Sequence, residues 1–159
     1  MRKARLARVF ACLAVVGVTL AVTASGALAS DASIKALFKS YNSKILVAEG
    51  HLETAIGVYK TSHEATPVEE ALSHSTAVVH SLEVKMSHQR AVSDRVKAGK
   101  AKIVKGLKTV IVAYGQLKAA FEAKSASPET AVEDAQKAEA AVKKGRKELL
   151  EGAKLIVAR

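Results

Sequence analysis

The chain has 159 residues and a formal charge of +10, from 25 Lys and Arg against 15 Asp and Glu, with one Cys and no Trp. That length fits a single domain, and the lone Cys12 excludes an internal disulfide framework and any zinc or iron–sulfur site built from cysteines. Aromatic residues are only 4% of the chain, which leaves little for stacking bases or sugars.

The first segment reads as an export signal. Arg2, Lys3, Arg5 and Arg8 come first with no acid among them, and residues 9–22 then run mostly apolar. Small residues follow, ending Ala27-Leu28-Ala29 before Ser30. This order predicts a secretory signal peptide cleaved between Ala29 and Ser30, with Ala27 and Ala29 small enough for the peptidase's shallow pockets. Two rivals exist: residues 9–29 carry no charge and are long enough to stay as a membrane anchor, and Cys12 could carry a lipid. Cys12 stands at the start of the apolar run, however, where a lipidated cysteine belongs at its end. Cleavage removes Cys12 and four positive charges, so residues 30–159 carry 21 basic and 15 acidic side chains, a net +6 without a thiol. The expected destination is a bacterial envelope or the medium, with no transmembrane span after processing.

The remaining chain predicts helices. Pro67 and Pro128 are its only prolines, each placed just after a capping residue. Thr66-Pro67-Val68-Glu69 reads as a capping box with proline at the first helical position, and Ser127-Pro128-Glu129 as a second helix start. Short polar loops, Thr61 to Ala65 and Ser125-Ala126, precede them. Between these marks apolar residues recur every three or four positions. Ile34, Phe38, Tyr41, Ile45, Ala48, Leu52, Ala55 and Tyr59 form a heptad seam, widened by Leu37, Leu46 and Ile56. In the last segment the seam is Ala131, Ala135, Ala138, Val142, Gly145, Leu149, Gly152 and Ile156, whose small residues favour a close helix neighbour. No period-two alternation is long enough for a strand, so the expected class is all-α.

Residues 67–124 admit two readings. Their seam keeps one register from Val68 to Phe121, but Gln89, Ser93 and Lys100 make its centre polar and Gly99 offers a helix stop. A turn near 97–100 gives helices at roughly 32–60, 67–97, 101–124 and 128–157, an antiparallel up-down four-helix bundle that buries its own core. The alternative is a three-helix arrangement with one central helix over 67–124, which needs a second chain to cover its apolar faces. The bundle is the favoured expectation.

Electrostatics supply the strongest functional signal. Lys85, Arg90, Arg95, Lys97, Lys100, Lys102, Lys105 and Lys108 fall in 24 residues with Asp94 as their only acid. At 100° per residue most of them should spread over the solvent face, crowding at one end of the bundle. Such a surface would bind an anionic envelope polymer, acidic lipid headgroups or an acidic partner protein, unless it is simply the solvated face of a basic protein. Specific nucleic-acid binding is disfavoured, because no aromatics interleave the charges. A smaller cluster, Lys143, Lys144, Arg146 and Lys147, is offset by Glu148 and Glu151.

Other chemistry is sparse. His51, His63, His74, His80 and His88 include no i, i+4 pair, so no single helix face offers two imidazoles; ligands contributed one per helix are invisible at this level. Met86 as a haem ligand competes with its more ordinary use as core filler. There is no G-x-S-x-G turn and no glycine-rich phosphate loop. The expectation is a non-enzymatic binding protein without cofactor. A ligand- or metal-carrying bundle is one alternative, and a self-assembling coiled-coil-like protein or homodimer is the other.

Overall fold

The computed structural model describes residues 29–123 and 128–157, with backbone alone for 29–30, 123 and 128–132. Ala27 of the expected cleavage site lies outside the described residues, and Ala29 and Ser30 form the first backbone of α1. Four helices follow in order: α1 (Ala29–Ser62), α2 (Thr66–His88), α3 (Asp94–Ala123) and α4 (Pro128–Val157). They pack as a four-helix bundle, and no strand occurs among the described residues. The three-helix alternative fails because the chain leaves the helix after His88 and re-enters it at Asp94.

That break lies about two helical turns earlier than expected, over residues 89–93 rather than 97–100. It contains neither Gly nor Pro, and it is held from elsewhere. The Asp31 carboxylate, in the first turn of α1, accepts the amide N–H of Val92 at 2.9 Å and of Ser93 at 3.3 Å, and the Ser93 hydroxyl at 2.6 Å. Burial opposes ionisation of Asp31, but the Ser93 hydroxyl and the two amides prevail and hold its pKa below the usual value. Ser93 also starts α3: its carbonyl accepts the Lys97 N–H at 2.9 Å, while its hydroxyl accepts the Val96 N–H at 3.4 Å. The last turn of α2 closes on the other side, with the Gln89 N–H donating to the Met86 carbonyl.

The first loop is shorter than expected. α1 runs to Ser62, and His63 caps it in the left-handed region at φ 60°, donating its N–H to the Tyr59 carbonyl at 2.9 Å. The expected capping box does not form. Ala65 precedes α2 in a helical conformation, its carbonyl takes the N–H groups of Val68 and Glu69, and no side chain caps them.

The core follows most of the seam read from sequence, although Leu46, expected to widen it, is exposed. Ile34, Leu52, Val68, Leu72, Leu82, Met86, Ile103, Leu107 and Ile156 are fully buried. Met86 is packed within this apolar cluster as core filler. Ser75, a polar residue in that seam, is buried too and donates its hydroxyl to the Ala48 carbonyl at 3.2 Å, tying α2 to α1.

Packing is uneven around the bundle. α3 and α4 share the most extensive interface, α2 meets both α1 and α3, and α1 and α4 barely touch. Glycines explain the first of these. A Cβ at Gly106 would stand 2.5 Å from the Gly145 carbonyl oxygen, and one at Gly152 would stand 2.6 Å from that of Gly99. Seven residues forward on α3 match seven back on α4, so the register continues to Ala113 and Ala138, both fully buried. The two backbones therefore approach more closely than ordinary helix pairs, whose axes lie about 8–10 Å apart. Gly99 is thus a contact residue inside α3 and not a helix stop.

Where α1 and α4 diverge, an ion pair spans the gap. Arg146 donates to Glu49 Oε1 at 2.7 Å, with both side chains about six-sevenths buried (16% and 14% exposed). The Tyr114 hydroxyl from α3 is buried beside them without a well-formed hydrogen bond. Burial and then the Glu49 charge push its pKa up to about 12. Burial likewise raises Glu49 above the usual carboxylate range, against the pull of Arg146.

Candidate anion-binding groove

The last turn of α2, the 89–93 loop and the first half of α3 enclose an open groove of about 920 Å³. Ala91, Ala101 and Val104 supply its apolar lining. Arg90, Lys97, Lys100, Lys105 and Lys108 bring five positive charges to it, together with His88 and the polar Ser87, Gln89 and Thr109. The expectation that the charges spread rather than align needs correction. On α3, Lys97, Lys100, Lys105 and Lys108 lie within about 140° of helix surface at 100° per residue, and this stripe faces the groove.

Each lysine is oriented by a partner. Lys97 meets Asp94 at 2.8 Å, and its ammonium is the main reason that Asp94 titrates below the usual range. Lys105 meets Glu148 of α4 at 2.8 Å, a hydrogen bond that raises the lysine pKa. Lys108 stands 3.8 Å from Glu83 of α2. Lys100 serves the fold, because its ammonium donates to the carbonyls of Ser87 and Gln89 and so occupies orphan acceptors at the C-terminus of α2. Three cations remain available at the rim: Lys97, Lys105 and Lys108 have 55%, 71% and 66% exposed side chains, so solvent screens their pairs and an incoming anion can reach them.

Three residues of the expected cluster do not join the groove. Lys85 lies over the Tyr41 ring, 5.2 Å from its centroid, and its hydrogen bond to the hydroxyl is the largest cause of a lowered Tyr41 pKa. Lys102 points to α4 and meets Glu151 at 2.7 Å, which lowers the Glu151 pKa. Arg95 lies in the first turn of α3 outside the groove lining. Charge patterning alone does not single out His88, Ser87 and Thr109, which the packing adds to the lining. The i, i+3, i+4 spacing of positions 97, 100, 101, 104, 105 and 108 is the signal that separates the stripe from Arg95 and Lys102.

Among the described residues, no helix is long and apolar enough to cross a membrane, and no three His, Cys, Asp or Glu side chains converge as a metal site would require. No family model, curated protein or solved structure matches the chain.

Proposed function

We propose that this protein is exported, loses its first 29 residues, and works without catalysis by binding an anionic polymer of the cell envelope in the groove between α2 and α3. The observation that carries the reading is the convergence of Arg90, Lys97, Lys100, Lys105 and Lys108 on one open, apolar-lined groove. Lysine ammonium groups act as point charges without the bidentate geometry of arginine, which suits a flexible chain of repeating anions more than one fixed carboxylate pair. Asp94, Glu148 and Glu83 pair with the rim lysines, and a multivalent anion would displace them at little cost, since exposed ion pairs contribute about 0–1 kcal/mol.

The test compares inorganic polyphosphate with polyglutamate as probes, in low and physiological salt. Binding to polyphosphate should weaken as salt rises, because the screening length contracts to about 8 Å at 0.15 M. Replacing Arg90, Lys97, Lys105 and Lys108 by Gln should lower the affinity at least about 10-fold, whereas Arg95→Gln with Lys102→Gln should change it less than about 3-fold. Equal losses in both variants would reduce the effect to net charge and refute the groove. Preference for polyglutamate would replace the polymer with an acidic protein.

A further inference from the structure

Outside the groove, the fold brings together two histidines that the sequence keeps 23 positions apart. His51 of α1 and His74 of α2 face each other with ring centroids 6.4 Å apart and planes tilted by 35°. Both side chains are exposed, but both backbones are fixed. His51 adjoins Leu52 and His74 adjoins Ser75, which are buried in the interior. The Ser75 hydroxyl clamps the two helices at Ala48, one turn before His51. Glu70 stands one turn before His74 on the same face of α2 and adds negative charge to the neighbourhood. Along α2 the pair lies about 20 Å from the groove lining at Ser87 and His88, so the two sites are separate.

We propose that His51 and His74 form a two-histidine clamp across the α1–α2 interface for one borderline divalent transition-metal ion, with Cu2+ bound most tightly. Metal–imidazole bonds of about 2.0–2.1 Å put two nitrogens sharing an ion roughly 3–4 Å apart. Exposed rings at the observed separation reach that spacing by side-chain rotation, without moving either helix. Imidazole suits Cu2+, Ni2+ and Zn2+, and among these Cu2+ leads the affinity order. Two protein ligands leave the remaining positions to water or to an anion, so the bound ion would be exchangeable rather than sealed in. The clamp also ties α1 to α2 through the folded state alone, and metal binding therefore raises stability by linkage.

The experiment titrates Cu2+ into the purified chain carrying Cys12→Ser, so that no thiol competes. Electron paramagnetic resonance reads nitrogen couplings and calorimetry reads the stoichiometry. One ion per chain with nitrogen ligation is expected. His51→Ala and His74→Ala should each weaken binding at least about 10-fold, and the double variant, which keeps neither ring, should bind no ion with nitrogen ligation. A variant with His63, His80 and His88 replaced by Ala should bind as the parent does. Binding that survives in His51→Ala/His74→Ala, that is lost in the triple variant, or that is absent from the parent would overturn the proposal.

Discussion

Replacing Gly106 by Ala tests the α3–α4 seam most directly. Alanine is the better helix former by about 0.8–1.0 kcal/mol, so the change should stabilise the protein if the site is open. It is not: the new methyl carbon would stand 2.5 Å from the Gly145 carbonyl oxygen and 3.0 Å from both the Leu149 amide nitrogen and Cγ. Two of those neighbours are backbone and cannot rotate away, so the helices themselves must separate. Overpacking of a tight interior costs about 1–3 kcal/mol, and a clash against main chain belongs at the upper end. The net expectation is a loss of about 1–2 kcal/mol. Gly50, Gly57 and Gly115 provide the control, since nothing lies within 4 Å of a Cβ at any of them. Alanine at Gly115 should therefore gain about 0.5–1 kcal/mol. Urea denaturation followed by circular dichroism gives both values, read as a shift in midpoint at constant slope. Gly145→Ala should behave like Gly106→Ala, and the double variant should lose less than the sum, because separation forced by one methyl makes room for the other. A Gly106→Ala protein as stable as Gly115→Ala would show that the two backbones do not touch.

Two further predictions concern buried charge. Asp31→Asn should cost about 1–2 kcal/mol at neutral pH through its hydrogen bonds to Val92 and Ser93, measured by the same denaturation assay. Because the folded pKa of Asp31 lies below the ordinary 3.8, that stabilisation is present above pH 3.8 and disappears as pH falls through the lowered value. Parent and variant should accordingly converge in acid; a deficit that persists there would refute the assignment. Arg146→Met should cost about 2–4 kcal/mol at neutral pH by stranding the Glu49 carboxylate, already pushed up by burial. A group with a raised folded pKa loses stability as pH rises through it, so this variant should recover relative to the parent on acidification. A pH-independent deficit would count against a charged Glu49.

The helical class and most of the core were legible because a heptad seam reports burial directly, from Ile34 in α1 to Ile156 in α4. The helix break was not legible in place. Gly99 carries the usual mark of a helix end, yet in sequence a glycine that stops a helix looks the same as one that admits a neighbouring backbone. The real break, at 89–93, depends on Asp31, some sixty residues away. Even so, Ser93 ahead of Asp94 is a local signal for a helix start that the polar seam obscures. The Thr66 capping box shows the converse: the residues fit the motif, but Ala65, in a helical conformation, takes the cap position and Thr66 becomes the first residue of the helix. For the groove, composition located the charges, and only helix packing separated the stripe facing α2 from Lys102, which turns to Glu151 of α4. The facing of His51 and His74 needed the α1–α2 register, which no spacing within one helix could supply.

The glycine-lined contact between α3 and α4 also sets what can drift in this sequence over evolutionary time. Positions 99, 106, 145 and 152 admit little beyond hydrogen for a side chain. The contact therefore asks for small residues seven apart in each of the last two helices, Gly99 and Gly106 in α3 and Gly145 and Gly152 in α4.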